Sequence, residues 1–138
     1  MVDDVILNKA ATIERCIQRV QEEYQGFEDA LETNFTKQDA IILNIQRACE
    51  AALDMGTHVV RIEKIGLPQT NREVFALLSA RQIISVALGE ALQKMIGFRN
   101  IAVHDYASLN LEIIQKIIKS HLQDFQKFCQ ILIQKYGL

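Results

Sequence analysis

TKQDAIILNIQRACEAALDMGTHVVRIEKIGLP, residues 36–68, decides the fold. Its apolar residues Ile41, Ile45, Ala48, Ala52, Met55, Val59 and Ile62 step by threes and fours, which puts them on one buried stripe of a helix. Thr36, with Asp39 three positions on, predicts the cap that opens this helix. Gly66 and Pro68 predict its end, since glycine suits a left-handed exit and proline cannot continue the ladder. So long an amphipathic helix needs similar neighbours, and the sequence supplies them on both sides. Before it, Ile6, Ala10, Ile13, Ile17, Val20 and Tyr24 form another stripe, predicting helix over about residues 4–25 and a break at Gly26. After it, Thr70 and Glu73 read as a capping box for a short helix through about Arg81, and a fourth helix begins near Ser85. Asn110 then caps a last long helix towards Tyr136, with its stripe at Leu111, Ile114, Ile118, Leu122, Phe125, Cys129 and Leu132. No strand alternation competes. The predicted fold class is all-α: an antiparallel up-and-down bundle with an additional short helix, in one domain over residues 1–138.

Composition agrees with this and narrows the function. A chain of 138 residues, 49% of them hydrophobic, can bury roughly two-thirds of its unfolded surface and needs no staples. Cys16, Cys49 and Cys129 are widely separated and odd in number, so neither a disulfide framework nor a zinc site is expected, and they read as buried free thiols. The longest unbroken apolar run is Val74–Leu78, far short of a membrane span, and no secretion signal is read at the amino terminus. The expected location is the cytoplasm. A net charge of −2 lacks the broad positive field of a protein that grips many phosphates. The charge is uneven, however: residues 1–32 hold eight acids and three bases, a net of −5, which leaves +3 on the remainder. Any contact with a polyanion should therefore be local and made by the later helices.

The fourth helix departs from a simple core pattern. Its inward stripe would be Leu88, Leu92, Met95, position 99, Ala102 and position 106, and the two numbered places hold Arg99 and Tyr106. Seven residues turn a helix to about 20° short of two full turns, so Arg99 and Tyr106 are expected on one face, with Asn100 and His104 on the next row. A half-buried guanidinium asks for an anion, either a carboxylate of the protein or a phosphate from outside. In the plainer arrangement Arg99 pairs with Glu50 or Asp54 of the second helix and His104 is a satisfied interior histidine. Either acid could also support a working Arg99 or His104 from behind. Glu50, Asp54 and His58, at successive steps of four, form a rival set with metal-ligand spacing, but a solvated polar face accounts for them better, and no metal or other cofactor is expected. Ile96, Phe98, Ile101 and Val103 are candidates for a dimer seam or for core.

The string RNIAVHDY, Arg99 to Tyr106, resembles the RX4HXY signature of the HEPN superfamily, specifically the HepT-type toxins. LNIQRACEAALDMGTHVV, the GLPQTNRE connection and the helical order are also similar to that family, so the resemblance covers most of the chain. It implies a HEPN-like bundle and a ribonuclease that works without a metal, acting on RNA with no DNA expected, beside an MNT-type nucleotidyltransferase antitoxin. In that role His104 would transfer protons and Arg99 would bind phosphate and transition-state charge, with Asn100 in support. Histidine can serve either proton role near neutral pH, and a guanidinium holds two phosphate oxygens in its fork. The reaction asks for both an acid and a base where one motif offers one histidine, so a homodimer is expected. The resemblance further implies AMPylation of Tyr106 by the antitoxin as an off-switch, through bulk and charge at the phosphate site. The alternative is a noncatalytic HEPN module that binds a nucleotide or a partner.

Overall fold

The computed structural model describes residues 3–137. Its helices are α1 (Asp4–Tyr24), α2 (Phe35–Glu63), α3 (Asn71–Ala80), α4 (Val86–His104), α5 (Leu111–Ser120) and α6 (Leu122–Tyr136), with 3₁₀ turns at Glu28–Ala30 and Tyr106–Ser108. The all-α antiparallel bundle read from periodicity is the fold. Helices α1, α2, α4 and α6 surround the core, α3 packs on α2 and α4, and α5 lies on α6.

Local chemistry starts most of these helices. The side chains of Asp3, Asn34, Thr70, Ser85 and Asn110 each accept a hydrogen bond from a backbone N–H in the first turn that follows, filling donors that the helix leaves unpaired. The cap of α2 is a correction: Asn34, not Thr36, accepts from the Lys37 N–H at 3.1 Å. The left-handed residue at the other end of α2 is Lys64, φ 54°, with the Ile65 N–H bonded to the Val60 carbonyl at 3.2 Å. That is a Schellman-type closure placed two residues before Gly66. Of the predicted α2 stripe only Ile62 is exposed.

The expected last long helix is two helices, broken at His121. Polar side chains support the break: His121 Nδ1 lies 3.0 Å from an Asp124 carboxylate oxygen, and Gln123 Nε2 donates to the Ser120 carbonyl at 3.2 Å. The break re-phases the buried face, which runs Ile114, Ile117, Leu122, Phe125, Phe128 and Leu132. Phe128 replaces Cys129 in the interior and meets Phe75 of α3 edge-on, with ring centroids 5.6 Å apart. Such a pair adds about 0.5–1.5 kcal/mol beyond area burial.

Cys16 and Cys49 are buried, Cys129 is half-buried, and all three are free. Burial pushes every one of these thiols up, Cys129 to about 12, so they pack rather than react. Among the described residues no helix is long and apolar enough to cross a membrane.

Helix α3 sits close to α2 because Gly56 has no side chain. A Cβ there would lie 2.9 Å from Val74 Cγ1 and 3.4 Å from Leu78 Cδ1, both on residues buried in the core. A β-branched valine cannot swing aside cheaply. Gly56→Val is expected to destabilise the fold by about 1–3 kcal/mol through overpacking, read as a drop of several degrees in thermal denaturation. An unchanged melting temperature would contradict this packing.

Candidate active site

Arg99, Asn100 and His104 ride the last two turns of α4. Leu88, Leu92, Met95 and Ala102 of the same helix are buried and fix its rotation, which turns Arg99 towards α2. The arginine side chain is 21% exposed. Its Nη2 donates to Glu50 Oε2 at 3.4 Å and its Nη1 to Asn100 Oδ1 at 3.2 Å, while its Nε is buried without a partner. A guanidinium carries five donors, so this one is held in place but far from saturated. The Glu50 contact is long and its carboxylate is partly exposed, a weak pair that a phosphate could outbid.

The two acids named from spacing part company. Glu50 meets Arg99, whereas Asp54 binds Lys9 Nζ of α1 at 3.0 Å and takes no part in the site. His58 Nε2 lies 2.8 Å from Asp3 Oδ2, and this hydrogen bond holds the Asp3 carboxyl below its ordinary range. The rival set on α2 thus faces three different partners, and among the described residues no three His, Cys, Asp or Glu side chains are gathered as metal ligands.

His104 is the final residue of α4 and is exposed. Among the described residues its side chain has no hydrogen-bond or ion-pair partner, so the interior-histidine arrangement does not apply. Asn100, one turn before it, lies on its side of the helix and is bonded to Arg99, linking the two rows.

Tyr106 is not on the helix, which corrects the expected Arg99–Tyr106 face. The chain leaves the helical path at Asp105, φ −151°, ψ 59°, and the Ser108 hydroxyl donates to the Asp105 carboxylate, stabilising the turn that follows. On this turn Tyr106 is 47% exposed, and its hydroxyl donates to Asp39 Oδ1 near the start of α2. Burial of the hydroxyl, then the hydrogen bond to Asp39 and its negative charge, push the phenol up to about 12.

Asp39 is the site residue that sequence reasoning missed, because it read as a capping partner. A signal existed: Asp39, Leu43, Gln46 and Glu50 follow one helical row, and its polar members end at the tyrosine and the arginine. Asp39, Ile42, Leu43, Gln46 and Tyr106 line a small cleft beside that bond. Ile96 and Phe98 belong to the core, whereas Ile101 and Val103 are each 41% exposed.

Comparison with known proteins places the chain in a family. The "Ribonuclease HepT-like" family matches residues 13–132. The chain is 45% identical over 131 residues to an mRNA nuclease HepT of Shewanella oneidensis, covering 95% of this chain and 98% of that protein. A tRNA nuclease HepT of Aphanizomenon flos-aquae is 30% identical over 81 residues, 59% of this chain and 55% of the relative. The solved structure of a tri-AMPylated Shewanella oneidensis HEPN toxin in complex with MNT antitoxin superposes with a TM-score of 0.91 at 44% identity, covering 96% of this chain and 99% of that one. The arginine, the histidine and the tyrosine described above are thus set in the fold of known nucleases, and the chain belongs to the ribonuclease HepT-like family.

Proposed function

We propose that this chain is the ribonuclease toxin of a toxin–antitoxin pair, cutting RNA by attack of a ribose 2′-hydroxyl on the adjacent phosphate without a metal ion. The observation that carries this reading is the half-buried Arg99 with donors to spare, five residues before an exposed, unpartnered His104 at the end of the same helix. In the step the O2′–P bond forms as the P–O5′ bond breaks. The hydroxyl proton passes to a base and a proton is delivered to the leaving O5′. Imidazole can do either, and the guanidinium fork takes the charge that grows on the non-bridging oxygens. One chain offers one such imidazole. A second copy facing the first across a two-fold axis supplies the other, with Val103, exposed on the Arg99 side of the helix end, at the seam.

The antitoxin partner is an MNT-type nucleotidyltransferase, and Tyr106 is the acceptor of AMP. The AMPylated and antitoxin-bound state of the Shewanella toxin supports this. In that reaction the Tyr106 oxygen bonds the α-phosphorus of ATP, pyrophosphate leaves, and the phenol proton goes to a base.

Purified protein incubated with RNA in EDTA tests the cleavage chemistry. Products ending in a 2′,3′-cyclic phosphate and a 5′-hydroxyl are expected, and a 2′-deoxy substitution at the cut position should abolish cutting there. Loss of activity in EDTA, or 3′-hydroxyl products, would overturn the mechanism. No cleavage at all would leave a binding module.

A further inference from the structure

On the side of α4 turned away from Arg99, an open groove of about 840 Å³ runs between α4 and α5, with α3 at its edge. That volume is in the range of small-ligand sites. The groove leads to the candidate active site: Asn100 lines it, and His104 follows Gly97 by seven residues, about 20° short of two turns, so the two share one stripe of α4. Gly97 lies about 10 Å along the helix axis from His104, a distance spanned by one or two nucleotides.

The lining combines charge with apolar surface. Arg72, Lys94 and Lys116 bring three permanent cations against the single carboxylate of Glu90 in the lining, while His121, which also lines the groove, is engaged by Asp124. Among the described residues none of those three cations has a hydrogen-bond or ion-pair partner. Arg72 is brought down onto α4 by a missing side chain, since a Cβ at Gly97 would lie 2.7 Å from its Nη2. Ile101, 41% exposed, and Ile113, 50% exposed, line the same groove. Gathered, uncompensated cations repel one another until an anion arrives. The half-exposed isoleucines want an apolar face, which unpaired bases offer and a duplex keeps stacked inside.

We propose that this groove binds the single-stranded RNA next to the scissile phosphate, with Arg72, Lys94 and Lys116 meeting its phosphates and the bases resting on Ile101 and Ile113. The proposal rests on the ribonuclease reading of His104 and Arg99, and adds where the substrate runs. It also accounts for how a chain of net charge −2 holds a polyanion: the first 32 residues carry a net −5, which leaves +3 on the remainder, and the groove is built from α3, α4 and α5.

The test uses a short fluorescent 2′-O-methyl oligoribonucleotide, uncleavable because the nucleophile is capped, with the wild-type protein and with Arg72→Gln, Lys94→Gln, Lys116→Gln and the triple variant. All three positions are exposed, so the variants should fold, as circular dichroism can verify. Each substitution is expected to weaken binding about threefold or more and to lower the slope of log K against log salt by about 0.7. KM for RNA cleavage should rise in parallel with kcat little changed. Gly97→Ala, which shifts only the flexible end of Arg72 and keeps its charge, should weaken binding less than Arg72→Gln and leave the salt slope unchanged. If wild-type protein cleaves RNA and the triple variant binds the probe with unchanged affinity and salt slope, the groove proposal fails and the ribonuclease reading stands. If the variants keep probe affinity but lose self-association or capture of the nucleotidyltransferase, the groove is a protein-docking face and the proposal is overturned. If the probe binds through these cations and wild-type protein cleaves nothing, the ribonuclease reading fails instead.

Discussion

His104→Ala is expected to slow RNA cleavage by about 10²–10⁴-fold while leaving the melting temperature where it was. The loss is large because imidazole is the side chain suited to exchanging protons near neutral pH, and among the described residues the two neighbours that follow His104 cannot take its place. Asp105 is engaged by Ser108, and the Tyr106 phenol, pushed up to about 12, keeps its proton across the working range. The stability is unmoved because His104 is exposed and without a partner, and such surface changes fall within about 0.5 kcal/mol. Cleavage rates of both proteins under single-turnover conditions, with thermal denaturation alongside, check the two halves. Equal cleavage by both proteins would remove His104 from the chemistry. A fall in melting temperature matching the lost activity would make it a structural residue.

Tyr106→Phe is expected to eliminate AMP transfer, a complete loss rather than a reduced rate, because on the proposed reading the phenolic oxygen is the atom that bonds the α-phosphorus. Wild-type protein incubated with the nucleotidyltransferase and ATP should gain mass in multiples of one AMP and stop cutting RNA. The phenylalanine variant should gain none, and its cleavage should be the same with or without antitoxin and ATP. Inhibition in the wild type follows from bulk and negative charge added beside the place where Arg99 would hold phosphate. The modified oxygen also has no proton left to donate, so the hydrogen bond to Asp39 is lost and a phosphate faces a carboxylate. Intact-protein mass spectrometry decides the matter: labelling that survives Tyr106→Phe would place the acceptor elsewhere.

The contrast between Asp39 and Glu50 shows how far local pattern carries. Helical stripes at steps of three and four are set by the chain itself, so α1 to α3 and the start of α4 were legible to within a residue or two. The motif was legible as well, since a guanidinium in an aliphatic stripe breaks a regular rule. What stayed hidden depends on contacts distant in sequence. Asn34 and Thr36 both have capping chemistry, and nothing nearby says that Asp39 is claimed by a tyrosine 67 positions away. Glu50 and Asp54 are alike in spacing, and only the rotation of α4 against α2 selects Glu50 for Arg99, while Lys9 of α1 takes Asp54. The stops at Asp105 and His121 lack glycine and proline. They come from side chains bonding across the break, Ser108 to Asp105 and His121 to Asp124, which leave only a faint trace in sequence.

Because α4 ends at His104 and Tyr106 stands on a separate 3₁₀ turn, the residue proposed to cut and the residue proposed to take the modification are mounted on different mechanical parts. Arg99 and His104 are anchored to a helix whose inner face is locked in the core. Tyr106 hangs on a surface turn, tied to the body by its bond to Asp39. On the proposed reading, a modifying enzyme can therefore draw the tyrosine into its own catalytic centre without unwinding the helix that carries Arg99 and His104. Modification there would leave the bundle fully assembled, so that removing the nucleotide is expected to restore cleavage with no refolding.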